Sequence, residues 1–127
     1  MTQRVYLKLR YTDACDHDRD TRRAVHRSVR ALKPRLAAQN INLILQEYRA
    51  SHTRLYVGNV TPFRVSRQPC PAADDGWCDG FLYRGEFFGA LSEAAVTQLV
   101  LEAAQLAKTN NVQAPACCGS GCLDCPY

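Results

Sequence analysis

Residues 3–11 read Gln-Arg-Val-Tyr-Leu-Lys-Leu-Arg-Tyr, and residues 41–48 read Ile-Asn-Leu-Ile-Leu-Gln-Glu-Tyr. In the first stretch Val5, Leu7 and Leu9 alternate with Tyr6, Lys8 and Arg10. A two-residue period is that of a half-buried strand. The second stretch is equally rich in β-formers and predicts a second strand. Between them, Val25, Val29, Leu32 and Leu36 recur at helical spacing and form one apolar stripe. The spacing predicts a helix over 21–39, after a polar loop at 12–20 that ends in an N-cap at Asp18 or Asp20. Pro34 removes a backbone donor and is expected to kink the last turn or end the helix early, and Asn40 is a stop signal. A strand, a helix and a strand in this order make a right-handed parallel crossover.

Working outward, residues 53–57 predict a third strand that stops at Gly58-Asn59. The stretch 60–80 holds Pro62, Pro69, Pro71, Gly76 and Gly80 and reads as a long loop. Residues 81–88 predict a fourth strand, hairpin-like around Arg84-Gly85-Glu86. Ser92 caps a second helix over 93–108, which Asn110 and Asn111 are expected to stop. The expected architecture is α/β: one four-stranded mixed sheet in β-α-β-β-β-α order, the topology of the thioredoxin fold. The ferredoxin-like alternative needs a strand after the second helix, and residues 110–116 make a poor one. The expected organisation is a body at 1–109 and a linker with a cysteine-rich tail at 110–127.

The 127 residues, 46% hydrophobic and 22% charged, suit one globular domain. No apolar run approaches the ~20 residues that span a bilayer, and the N-terminus lacks the apolar core of a signal peptide. A membrane role is therefore not expected, and the expected compartment is the cytoplasm. Seven cysteines, at 15, 70, 78, 117, 118, 122 and 125, are an odd number with four in the last eleven residues. That is not a secreted disulfide framework; in a reducing compartment clustered cysteines more often bind metal or do redox work.

Residues 1–67 carry 14 Lys/Arg against 5 Asp/Glu, or +9, and residues 68–127 carry 2 against 7, or −5, which sum to the net +4. The excess centres on Arg19, Arg22, Arg23, Arg27, Arg30, Lys33 and Arg35. An anion-binding face is one reading. A solvated helix face is the plainer one, because no aromatic side chain is interleaved there to stack on bases. Nucleic acid is thus not the expected partner.

The densest chemistry is in the tail, Cys117-Cys118-Gly-Ser-Gly-Cys122-Leu-Asp-Cys125-Pro-Tyr. Thiolates suit Zn(II), Fe–S clusters and Cu(I), and the Cys122-x2-Cys125 spacing is that of a zinc knuckle or an iron–sulfur loop. Gly119 and Gly121 allow a tight turn that brings sulfurs onto one centre. Adjacent Cys117 and Cys118 point apart, so both on one ion is awkward. Cys70 and Cys78 are close enough for a disulfide or for two ligands on one loop. Asp74, Asp75 and Asp79 nearby lack calcium-loop spacing. Cys15 falls between the first strand and the first helix, where the helix dipole favours a thiolate nucleophile or ligand. A partly buried small hydrophobe is the bland alternative. His17 and His52 can orient or bind beside it, although a lone histidine is more often a surface or hydrogen-bonding residue.

Two stretches carry a resemblance. The strand–Cys15–helix order, and Ser51-His52-Thr53-Arg54-Leu55-Tyr56-Val57-Gly58, make residues 1–108 similar to a family of small prokaryotic thioredoxin-like proteins of unestablished role. That family has cysteines after the first strand and more between later strands, where Cys70 and Cys78 match. The resemblance implies a catalytic role for Cys15, and His52 is the candidate catalytic partner beside it. Two departures stand out. The place of Cys-x-x-Cys reads Cys15-Asp16-His17-Asp18, and His52 stands where the usual cis-proline falls. Cys15 then needs Cys70, Cys78 or a tail cysteine as its resolving partner. The tail resembles a short motif of small bacterial proteins and of the oxidoreductase-like domain of some eukaryotic proteins; its vicinal cysteines also resemble the tail of mercuric reductases.

Two function classes follow. One is a protein that binds a metal ion or iron–sulfur cluster through Cys117, Cys118, Cys122 and Cys125, with Cys70 and Cys78 as further ligands. The other is a thiol–disulfide oxidoreductase, or a handler of soft metals such as mercury, arsenic or copper, built on Cys15 and the vicinal tail cysteines. Either implies a redox or metal-transfer protein as partner.

Overall fold

A computed structural model describes residues 3–58 and 61–113. Cys117, Cys118, Cys122 and Cys125 lie outside the described residues. The elements are β1 (Gln3–Tyr11), α1 (Asp16–Ala37), β2 (Ile41–Arg49), β3 (Arg54–Val57), β4 (Arg64–Pro69), β5 (Trp77–Tyr83), β6 (Glu86–Phe88) and α2 (Glu93–Gln113).

β1 is the centre of a mixed sheet in the order β2-β1-β3. It pairs in parallel with β2, Leu7 opposite Leu45, and antiparallel with β3, Leu9 opposite Leu55. The parallel crossover read from the alternation is therefore present. Both helices pack on one face of this sheet and on each other. Val5, Leu7 and Leu9 of β1 meet Val25, Leu32 and Leu36 of α1 and Val96, Leu99 and Val100 of α2 in one core. The α1–α2 contact is made by small and hydroxylated residues. Buried Ser28 donates to the Glu93 carbonyl at 3.0 Å, and Thr21 Oγ1 accepts from the Leu91 N–H at 3.0 Å.

The single four-stranded, thioredoxin-like sheet does not form. The described residues build two three-stranded sheets, the second antiparallel in the order β4-β5-β6. The difference lies in 60–88. β4 is polar and nowhere buried along its length, so it carries no apolar alternation to read. It exists through its ladder to β5, with Pro69 at its end, where a missing donor costs least. The stretch 81–88 is divided by a tight turn. Arg84 (φ 53°) and Gly85 (φ 79°) both take left-handed backbone, the requirement of a two-residue hairpin. Phe81 and Tyr83 of β5 reach the common core with Phe63, in tilted ring contacts at 5.7 and 5.5 Å.

Helix limits differ too. α1 begins at Asp16, with Cys15 in the N-cap position, so Asp18 lies in the first turn and Asp20 beyond it. Asp16 and Asp18 there favour the positive helix end. Pro34 does not end the helix, because Ala38 N–H still bonds the Pro34 carbonyl at 3.1 Å; the stop is Asn40, at φ 62°. Ser92 Oγ accepts from Ala95 N–H at 3.1 Å, the expected cap. α2 runs past Asn110 and Asn111 to Gln113, since asparagine lowers helix propensity by only a few tenths of a kcal/mol.

Glu47 of β2 ties the sheet to α1. Its carboxylate takes Arg22 at 3.0 Å and His26 at 2.7 Å. Burial opposes its charge, but the His26 and Arg22 hydrogen bonds prevail and hold the carboxyl below its ordinary range. A depressed folded pKa adds stability above the unfolded value and loses it as pH falls through the folded one. Glu47→Gln is expected to cost about 1 kcal/mol at pH 7. It is also expected to flatten the loss of stability below about pH 4.5. Urea titrations at pH 7, 5 and 3.5 check both, and parallel curves for the two proteins would contradict them.

Candidate metal centre

Three segments bring soft donors to one place. Cys15 stands at the start of α1, held by the β1-to-α1 turn with extended backbone (φ −152°, ψ 176°). His17, two residues on, lies in the first helical turn. Cys70 follows β4 directly, and Cys78 is the second residue of β5. The β4–β5 loop is short and self-bonded: Cys70 N–H donates to the Gly76 carbonyl at 2.8 Å, and Ala73 N–H to the Cys70 carbonyl at 3.1 Å. Gly76 supplies the left-handed residue, at φ 80°. The hairpin ladder then sets Cys78 opposite Gln68 and close to Cys70.

The ligand atoms of Cys15, His17, Cys70 and Cys78 all lie within 4.8 Å of one another, close enough to hold a metal ion. His17 Nδ1 is 3.3 Å from Cys78 Sγ and 3.9 Å from Cys15 Sγ. Cys15 is fully buried and Cys70 is 3% exposed, while His17 and Cys78 are half-buried. The surroundings orient the set. Cys15 Sγ donates to buried Asp18 Oδ2 at 3.4 Å. A Cβ on Gly89 would come 2.9 Å from Gln68 Oε1, too close, but only into ordinary contact with the His17 ring at 3.4 Å, so a glycine here leaves room for the Gln68 side chain beside the imidazole. Gln68 Nε2 in turn donates to the Gly89 carbonyl at 2.8 Å.

The thiols are not equivalent. Burial, and then hydrogen bonding to neighbouring Cys70 and Cys15, pushes the Cys78 thiol up to about 12. Burial raises Cys15 as well, against the Asp18 backbone N–H and with the help of Cys70 and the Asp18 carboxylate. Burial opposes ionisation of Cys70 too, but hydrogen bonds from His17, Cys15 and the Ala72 backbone hold it below the ordinary thiol value. Negative charge in this cluster thus gathers first on Cys70. More than one thiolate here calls for a cation to offset burial and mutual repulsion.

Of the residues singled out in the sequence, Cys15, Cys70 and Cys78 come together. His52 is not among the converging atoms. It is exposed, its Nδ1 lies 3.0 Å from Asp79 Oδ2, and Arg54 donates to the same oxygen at 2.9 Å. These contacts link β3 to β5. His52, Trp77, Cys78 and Asp79 line one cleft of about 370 Å³, through which Cys78 meets solvent. His17, in the sequence only an auxiliary to Cys15, is a member of the converging set. The Cys15-x-His17 spacing across a helix start was its signal, and the folded β4–β5 hairpin completes it. No helix among the described residues is long and apolar enough to cross a membrane. No family model, no curated protein and no solved structure matches the chain, so the functional reading stands on this four-residue arrangement.

Proposed function

We propose that the protein is a metal–thiolate protein in which Cys15, His17, Cys70 and Cys78 hold one tetrahedral ion, zinc above others. The observation that carries this is the convergence of four soft donors, from α1, β4's end and β5, within 4.8 Å. Zinc bonds of about 2.3 Å to sulfur and about 2.0 Å to nitrogen set tetrahedral edges of about 3.5 Å between sulfur and nitrogen and about 3.8 Å between sulfurs. The sulfur–imidazole separations of 3.3 and 3.9 Å bracket the sulfur–nitrogen value. An iron–sulfur cluster fits less well, because its larger core spreads its ligands farther apart. The centre clamps the β4–β5 hairpin to the start of α1. The spacing of Cys118, Cys122 and Cys125 supports a second thiolate centre in the tail.

A second reading has its own observation. Three sulfurs lie within 4.8 Å of one another, and Cys70 ionises most readily. Cys70 thiolate and Cys15 can then close a disulfide, passing two electrons to a partner disulfide that leaves as two thiols. Cobalt(II) substitution separates the readings. The tetrathiol-free test protein, with Cys117, Cys118, Cys122 and Cys125 all changed to Ser, is expected to bind one cobalt and show thiolate charge-transfer and tetrahedral d–d bands. Adding Cys70→Ser is expected to abolish them. Absence of these bands before that change, with a disulfide formed in mild oxidant, favours the redox reading.

A further inference from the structure

Among the described residues, nothing packs over the face of the β2-β1-β3 sheet away from the helices. Because β1 alternates strictly, burying Val5, Leu7 and Leu9 sends Arg4, Tyr6, Lys8 and Arg10 to the other side. The pairing registers add Tyr48 of β2 beside Arg10 and Tyr56 of β3 beside Lys8. Tyr6 is 39% and Tyr48 49% exposed, and Arg4 and Arg10 are exposed. The Arg10 guanidinium lies 5.6 Å from the Tyr56 ring centre, so cations and rings alternate across the surface. β2's other positions on this face, Asn42, Ile44 and Gln46, are uncharged. The three strands contain one acid, Glu47, and it lies on the helix side, bonded to Arg22 and His26. Arg54, beside Arg10, is already engaged by Asp79.

Three cations with no carboxylate partner among the described residues, set among the exposed rings of Tyr6 and Tyr48 and the half-buried ring of Tyr56, match one kind of partner. Phosphates meet the cations, and unpaired bases stack on the rings, whatever their identity. A duplex hides its base faces and offers only charge. The basic stripe of α1 has no such rings, and Arg19, Arg22 and Arg23 there are tied to Asp16, Glu47 and Asp20. We propose that this open sheet face binds single-stranded nucleic acid without strong sequence preference, Arg4, Lys8 and Arg10 taking phosphates and Tyr6, Tyr48 and Tyr56 stacking bases. It stands independently of the metal centre, which lies at the α1–hairpin junction.

The test uses the full chain as purified and fluorescein-labelled 15-mers of oligo(U) and oligo(dT), followed by anisotropy at 50 mM salt. Binding of either is expected, the better one showing whether RNA or DNA is preferred. The logarithm of affinity is expected to fall against that of salt with a slope of about −2, the value for roughly three phosphates on a single strand. Tyr6→Ala with Tyr48→Ala is expected to weaken binding at least tenfold, while Tyr6→Phe with Tyr48→Phe keeps it within about twofold, because the ring is what stacks. Arg27→Ala with Arg30→Ala, exposed on α1 away from this face, should change it less than about twofold. The proposal is overturned by no binding of either oligomer, by equal affinity for a 15-base-pair duplex, or by a loss that follows the α1 pair. A dimer in solution that buries the face would overturn it as well. Should the alanine pair misfold, ultraviolet crosslinking of the native chain decides: adducts on Tyr6, Tyr48 or Tyr56 uphold it, and adducts elsewhere refute it.

Discussion

On the proposed assignment of Cys15, His17, Cys70 and Cys78 as metal ligands, a strong chelator is expected to lower the thermal midpoint of the full chain by about 10–20 °C, starting at the β4–β5 hairpin. β4 buries none of its residues, so its order depends on the ladder to β5 and on whatever fixes that ladder to the body. Phe81 and Tyr83 anchor the inner half of β5 in the core. The outer half, with Cys70, Trp77 and Cys78, is anchored by the donor cluster and by Asp79's bonds to His52 and Arg54. Structural zinc sites supply of order 10 kcal/mol of apparent binding energy. Losing part of it, several kcal/mol, gives a shift of that size, since 1 kcal/mol moves the midpoint by roughly 4–8 °C in a domain like this. Amide exchange should rise at least tenfold, on the order of a lost 1.4 kcal/mol, in 64–79 and change little in β1. Uniform acceleration across both sheets, or none, would contradict the clamp.

The second large effect is in the core. Leu7 is fully buried at the middle of the central strand, flanked by Leu45 and Val57 on the neighbouring strands. Leu7→Ala leaves a cavity between sheet and helices, and is expected to cost about 3–5 kcal/mol. That is a large share of the roughly 5–15 kcal/mol that holds a domain together. Leu106→Ala, at a position 61% exposed, should cost under about 0.5 kcal/mol. Urea unfolding of the two variants, side by side, gives the comparison; similar losses would mean that β1 is not the centre of the core.

What was legible in the sequence is what burial writes into it. β1, α1 and β2 pack on one another, so their apolar residues keep periods of two and of 3.6, and Asn40 and Ser92 mark a stop and a cap through local hydrogen bonding. β4 buries none of its residues, and a strand held mainly by its ladder leaves polar residues, one exposed valine and a proline to read. That is why one sheet was expected where two form, and why the thioredoxin-like order failed at 60–88. The start of α1 was hidden by its aspartates, which look like a loop and serve as the first turn. For the centre, Cys70 and Cys78 were legible as partners for Cys15, but not the four-residue set with His17, because that set forms only when the β4–β5 hairpin, unread in the sequence, folds against the start of α1. The open sheet face was hidden in the same alternation that revealed the strand: its cations and rings only meet once β2 and β3 take their registers.

The most direct test of the central claim is a metal count. The chain with all four tail cysteines changed to Ser should be purified under reducing, anaerobic conditions and its zinc and iron measured per chain. One zinc per chain is expected, falling to none when Cys70 and Cys78 are also changed to Ser. A metal-free quadruple variant, or one whose metal survives the loss of Cys70 and Cys78, would contradict the assignment of Cys15, His17, Cys70 and Cys78 as the metal centre.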